Sequence, residues 1–212
     1  MSPPLRQTPV GALVSPAHGV ARLAAGNREF CAQSGENFDE WAHLAEGQSP
    51  FAAVLGCSDA RVPVEWVFNQ RPGDLFVVRV AGAVATPATM GSLEFAVHQL
   101  GVRLVVVLGH SGCGAVTATL AHLAGAPLAS KGVQTLVEAI RPAVAPLWQP
   151  GADPSALLTP AIHAHVCSSV ACVRDGLHAL MPPADGVQVL GAFYDLASGR
   201  VTFESEADVP AH

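Results

Sequence analysis

The sequence predicts an α/β fold, a mostly parallel central sheet of four to five strands flanked by helices, with an N-terminal helical arm. Three observations lead there. Short, nearly unbroken apolar runs of strand length recur along the chain, longer helical patterns lie between them, and half of the 212 residues are apolar while 13% are charged. A chain of this length buries roughly 70% of the surface it would expose unfolded, so its core needs no disulfide staples.

Taken in order, residues 1–47 read as an arm with two helical patches, Val20 to Ala32 and Phe38 to Ala45, each with apolar residues near helical spacing. Residues 48–212 form the main domain, the only domain beyond that arm. Its strands are Phe51 to Gly56, Leu75 to Val80 and Arg103 to Gly109. The first and third are almost continuously apolar, as strands covered on both faces are. Val64 to Phe68 and a helical pattern from Ala88 to Leu100 lie between them, an alternation that favours parallel strands joined by right-handed crossovers. Further helices are expected at Ala115 to Leu123, Val133 to Ala143 and Pro160 to about Leu180. Val187 to Tyr194 and Arg200 to Glu204 form a hairpin with Gly199 at its turn, so one strand there runs antiparallel. Residues 145–155 read as an exposed loop and 182–186 as a turn. Trp41, Trp66 and Trp148 are expected as packing anchors.

Charge and composition narrow the function. A formal net charge of −6 argues against a surface for DNA or RNA, so nucleic acid is not an expected partner. The first twenty residues hold no continuous apolar stretch like that of a signal peptide, which predicts a cytoplasmic location. Mean hydropathy is positive, and the stretches Ser111 to Ser130 and Pro154 to Val173 carry no formal charge. Both mix His, Ser, Thr and Pro into the run, so buried helices and no membrane span are expected. Five cysteines (Cys31, Cys57, Cys113, Cys167 and Cys172), odd in number and irregular in spacing, favour thiols or metal ligands over a paired framework.

The chemistry gathers where two strands end. The first run is followed by Cys57-Ser58-Asp59-Ala60-Arg61, and the third by His110-Ser111-Gly112-Cys113-Gly114. Ligand sites in open parallel sheets collect at the carboxyl ends of the strands, and neighbouring strands lie about 4.8 Å apart. If these two strands are neighbours, Cys57, His110 and Cys113 converge as two thiolates and an imidazole. With one open position, that set has the ligand types and count of a catalytic zinc site. Taken singly, each is as readily an ordinary buried thiol or histidine; the shared position after two strands makes them a set. Asp59 has two courses, to take the open position or to pair with Arg61, stay ionised and accept a hydrogen bond from a metal-bound water. Two thiolates cancel the charge of a dication, and a neutral centre suits a small uncharged electrophile; hydration of carbon dioxide fits this, as do other small hydrolytic reactions.

These paired motifs resemble those of the beta class of carbonic anhydrases, a resemblance that extends to Gly26-Asn27-Arg28-Glu29-Phe30, Arg71-Pro72-Gly73-Asp74, Gly91-Ser92-Leu93-Glu94-Phe95-Ala96 and Gly191-Ala192-Phe193-Tyr194-Asp195. It implies one zinc per chain on Cys57, His110 and Cys113, with Asp59 and Arg61 as the catalytic dyad. The implied reaction is reversible hydration of carbon dioxide to bicarbonate and a proton, by attack of zinc-bound hydroxide on carbon. It further implies substrate contacts from Gln48, Phe76, Ala81, Phe95 and the backbone of Gly114. The pocket would be completed across the interface of a homodimer or a dimer of dimers.

The chain departs from the family pattern twice. Val80 stands where a polar residue often follows the arginine, here Arg79. Some members hold a closed state, with the aspartate on zinc, by binding bicarbonate between a Trp, an Arg and a Tyr. Here Val54 occupies the Trp position while Arg79 and Tyr194 remain, which favours the open site. Two alternatives stand beside the leading reading: the same metal acting on carbon disulfide or carbonyl sulfide, and a non-catalytic zinc- or bicarbonate-binding protein. Cys167 and Cys172 fall on different sides of a helix and form no second metal site, and His163 and His165 read as surface or core residues.

Overall fold

Five strands form one sheet in the order β2-β1-β3-β4-β5 in the computed structural model, which describes residues 15–33, 43–180 and 186–204. The strands are β1 (Ala52–Gly56), β2 (Leu75–Arg79), β3 (Leu104–His110), β4 (Gln188–Tyr194) and β5 (Val201–Phe203). β1 pairs in parallel with both β2 and β3, β3 pairs in parallel with β4, and β5 closes the edge antiparallel to β4. The hairpin turn uses Gly199 at φ 72°, a left-handed conformation that glycine adopts without steric penalty.

By contact clustering the chain divides into two compact units, Met1–Gly47 and Gln48–His212. In the first, helix α1 spans Pro16–Gln33 and a 3-10 turn spans His43–Ala45. Most of the expected Phe38 to Ala45 patch lies outside the described residues, and its end is this single turn rather than an α-helix. The second unit carries α2 (Val64–Val67), α3 (Pro87–Gln99), α4 (Gly114–Leu123), α5 (Lys131–Val144) and α6 (Pro154–Leu180).

Side-chain alternation along the strands divides the core between the two faces of the sheet. Ala53 and Leu55 of β1 and Val105 and Val107 of β3 join the larger cluster with Leu93, Leu120, Ile140 and Ile162 from α3 to α6. Val54, Val106 and Leu108 point the other way, onto Val62 and Val64 at α2. Helices on both faces are what right-handed crossovers require when the connection from β1 runs to one neighbour and the connection into β3 returns to the other. The carboxyl ends of β1 and β3 therefore flank a topological switch point, where chains leave in opposite directions and open a crevice.

Three expectations need correction. Helix α6 begins at Pro154, six residues ahead of the expected start, because Asp153 caps it by accepting the amide of Ser155 (2.9 Å). Pro160 therefore sits inside the helix, and the expected loop over residues 145–155 is shortened at both ends, by a 3-10 turn at Ala145–Leu147 and by the first turn of α6. Trp66 is 69% exposed and does not join the core of the described residues. Val64 fills the core side of α2, and two residues further round, about 200° at 3.6 per turn, a side chain faces away. Trp148 does pack against the core, and Trp41 lies outside the described residues.

Among the described residues α6 is the one helix long and apolar enough to cross a membrane by length and composition. Its apolar side is occupied: Ala161, Ile162, Val166, Val170, Val173 and Leu177 are buried in the core. The other uncharged stretch supplies α4, whose Val116 and Leu120 are buried there too.

Candidate metal centre

Each member of the site is set in place by the end of a regular element. Cys57 directly follows β1, His110 is the last residue of β3, and Cys113 occupies the N-cap position of α4. The pairing of Gly56 with Leu108 sets β1 and β3 in register, so Cys57 arrives at the level where β3 ends. Gly112, at φ 67°, turns the chain from β3 into α4 and brings Cys113 back beside His110. The tip of this second loop is fastened to the end of β4: the Ser111 amide donates to the Tyr194 carbonyl (2.9 Å) and the Leu196 amide to Ser111 Oγ (2.9 Å).

The donor atoms of Cys57, His110 and Cys113 all lie within 4.8 Å of one another, and all three residues are buried. His110 lies 0% exposed, and its Nδ1 faces the Ser111 carbonyl at 3.0 Å. A carbonyl only accepts, so Nδ1 carries the proton and Nε2 presents a bare lone pair. Among buried side-chain nitrogens and oxygens of the described residues, that Nε2 is the one with no hydrogen-bond partner. Leaving a buried acceptor unsatisfied costs about 1–3 kcal/mol, and it is the state that a cation between the two sulfurs would resolve. The donor set fits zinc in softness and number.

Electrostatics supports the same reading. Contact with the Cys113 thiol pushes the Cys57 thiol down to about 4 against the opposing effect of burial, helped by His110 and by the amides of Asp59 and Gly82. Those amides reach Cys57 Sγ at 3.4 and 3.3 Å. Contact with the Cys57 thiol and burial push the Cys113 thiol up, while the amides of Val116 and Ala115 at the start of α4 pull the other way. Burial acts to lower the His110 pKa, but the Cys57 sulfur facing it outweighs that and raises it. A dication at these donors would displace protons from the thiols.

Asp59 stands apart from the cluster. Its Oδ1 accepts from the Arg61 amide (3.0 Å) and Nε (2.9 Å), and its Oδ2 accepts from Arg61 Nη2 (2.7 Å). The hydrogen bonds from Arg61 hold the Asp59 carboxyl well below the usual carboxylate range, despite partial burial. Arg61 Nη2 also reaches the Gly112 carbonyl at 3.3 Å, so one guanidinium ties the two motif loops together. Arg79 at the end of β2 clamps the first loop from the other side, through Nε to the Cys57 carbonyl (2.9 Å) and Nη2 to the Asp59 carbonyl (2.6 Å).

The remaining expected site residues are spread more widely. Ala81 adjoins the cluster through the peptide it shares with Gly82, and Gly114 follows Cys113 at the start of α4. Phe76 and Phe95 form a pair of their own, ring centroids 6.2 Å apart, with Phe95 48% exposed. Gln48 is exposed at the start of the second unit. Sequence patterning did not show that Arg79 holds the loop or that the Gly82 amide meets the sulfur; the available signal was an arginine inside the otherwise apolar run Leu75 to Val80, at the end of the strand that pairs with β1. It placed His165 no more closely than surface or core, and the structure buries it beside the site.

A buried Cys2His donor set at the switch point of a mostly parallel sheet is an arrangement that could hold a metal ion in an α/β protein. Comparison with known proteins narrows the class: the sequence profile described as carbonic anhydrase matches residues 52–201, and the chain belongs to that family, in its beta class. Carbonic anhydrase 2 of Mycobacterium tuberculosis is 45% identical over 136 residues, 64% of each chain, so the match spans a little under two thirds of that relative's length. The carbonic anhydrase of Mycolicibacterium smegmatis is 38% identical over 199 residues, covering 93% of this chain and 94% of the relative. Among solved structures, one of two tetrameric beta-carbonic anhydrases from Sordaria macrospora shares the fold, with a TM-score of 0.73, 24% identity, and coverage of 86% of this chain and 94% of that one.

Proposed function

We propose that this chain is a zinc-dependent carbonic anhydrase, interconverting carbon dioxide and water with bicarbonate and a proton. The observation that carries the reading is the buried, unpartnered Nε2 of His110 facing two cysteine sulfurs. Family membership supplies the reaction class.

Bound by Cys57, His110 and Cys113, zinc would supply a Lewis acid that lowers the pKa of a coordinated water. The protein's own groups would orient a water beside those donors. Asp59 remains ionised at any working pH because Arg61 occupies it, and with Oδ1 accepting twice and Oδ2 once, Oδ2 keeps capacity for one more hydrogen bond. Asp59 accepts there from the attacking water and aims its oxygen lone pair at the substrate carbon. As the new C–O bond forms, the π pair of one C=O bond of carbon dioxide moves onto its oxygen, giving bicarbonate, and the surplus proton passes to solvent. Arg61 supports this indirectly, holding Asp59 away from the metal donors.

Phe76, Ala81, Phe95, Gln48 and the backbone of Gly114 are proposed to receive the substrate. Phe95, packed beside Phe76, is half-exposed on a single chain, an apolar surface that a second copy could cover, which supports a homodimer or a dimer of dimers. The test is zinc analysis with stopped-flow hydration of carbon dioxide across pH, with carbon disulfide and carbonyl sulfide assayed alongside. About one zinc per chain with hydration activity, both lost in Cys57→Ala and His110→Ala, is the expected result. Turnover of only the sulfur substrates, or zinc with no turnover, would replace it with one of the two alternatives.

A further inference from the structure

The turn that supplies the second amide to Cys57 is held in an unusual conformation. Gly82 lies at φ 74° and the next residue, Ala83, at φ 51°, so two successive residues are left-handed and one of them is not glycine. Alanine adopts that region only at a steric cost, so the surroundings must hold it there. A Cβ at residue 82 would lie 3.0 Å from both Ala115 Cβ and Ile140 Cδ1, so a side chain there would crowd them as well as strain the backbone. From this position the Gly82 amide donates to Cys57 Sγ at 3.3 Å.

The Gly82 carbonyl is taken by His165, whose Nε2 approaches it at 2.7 Å from the middle of α6. A carbonyl only accepts, so the Nε2–H form is present. His165 is 5% exposed and lines the same cavity as Cys57, His110 and Cys113. Burial lowers its pKa, which keeps the ring neutral. One short hydrogen bond from a rigid helix therefore meets the strained turn at the residue that touches the sulfur. We propose that His165 is a positioning residue for the metal site, locking the left-handed Gly82–Ala83 turn so that the Gly82 amide stays on the sulfur of Cys57. The inference rests on the zinc reading. An N–H bond to a ligating thiolate tempers its charge and fixes its direction, and partners of this kind change metal affinity or activity by about 10–100-fold when removed.

The test compares holoenzyme of the wild type, His165→Leu and His165→Gln. Leucine fills the space without a donor; the glutamine amide restores one. Zinc release to excess chelator should be at least about tenfold faster in His165→Leu, and the thiolate-to-metal charge-transfer band of the cobalt-substituted protein should shift. His165→Gln should return both toward wild type. A folded His165→Leu with wild-type release and an unshifted cobalt band would overturn the proposal. Should His165→Leu fail to fold, nitrogen-15 NMR of histidine-labelled wild-type holoenzyme decides instead: a proton on Nε2 of His165 supports the lock, and the Nδ1–H form overturns it. Wild-type protein that takes up no zinc would defeat the zinc reading itself, a failure seen before any variant is compared.

Discussion

Asp59 is turned toward Arg61 and away from the metal donors, with Oδ2 2.7 Å from Nη2 and Oδ1 2.9 Å from Nε. The pairing is bidentate, the geometry in which a carboxylate and a guanidinium match best. With both oxygens engaged by Arg61, the Asp59 carboxylate is not part of the donor cluster of Cys57, His110 and Cys113. Replacing Asp59 by Asn keeps the shape but weakens acceptance from the attacking water. The variant should retain zinc and lose about 100-fold or more in kcat/KM, measured by stopped-flow hydration. Unaltered turnover would remove Asp59 from the mechanism.

Arg61 is the restraint on that carboxylate, so Arg61→Ala should release it toward the metal. Zinc should stay bound while hydration falls at least about tenfold, and X-ray absorption at the zinc edge should show an added oxygen ligand at the expense of water. A variant with full activity would show that Asp59 needs no holding.

The same pair makes stability depend on acid. The folded-state pKa of Asp59 is depressed, so its contribution is fully present above the ordinary carboxylate value near 3.8 and is lost as pH falls through the folded value. Denaturant midpoints recorded from pH 6 downward should drop more steeply below about pH 4 for the wild type than for Asp59→Asn. Parallel curves would mean the pair is screened by solvent, Arg61 being 59% exposed.

Arg79 spans the first loop, donating to the carbonyls of Cys57 and Asp59. Hydrogen bonds from a charged donor contribute about 1.5–3 kcal/mol where buried, and less here because the side chain is exposed. Arg79→Ala should lower the unfolding free energy of the metal-loaded protein by about 1–2 kcal/mol, and Arg79→Lys, which cannot reach both carbonyls, should recover little of it. Chemical denaturation reads both.

Gly109 precedes His110 on β3, and a Cβ there would fall 2.5 Å from Val166 Cγ2 on α6. Gly109→Ala should therefore push the helix off the strand, costing about 1–3 kcal/mol by overpacking and loosening zinc. A variant as stable as the wild type, judged by thermal melting, would show that α6 can yield.

Much of this was legible along the chain because its causes are local. The buried strands announced themselves as apolar runs, the motif loops as residues that follow those runs, and the closing hairpin by Gly199. The three metal donors could be named from residue type and from their place after two strands. Local pattern was a poorer guide at the ends of elements: α6 starts at Pro154 after the cap Asp153, a signal that lay within a proline-rich run read as loop, and Trp66 faces outward because α2 is too short to bury more than one side.

What the linear order could not decide is which side chains far apart in it come together. β1 and β3 are neighbours because β2 lies on the outer side of β1, and that order follows from packing helices on both faces of the sheet. The choice of Asp59 between metal and arginine depends on where the Arg61 guanidinium can rest, which includes the Gly112 carbonyl from the second loop. His165 meets Gly82 across 83 residues. Residue type and short-range periodicity report a chain's local free energy, whereas these contacts exist only once the sheet is assembled and the helices have excluded water from one crevice.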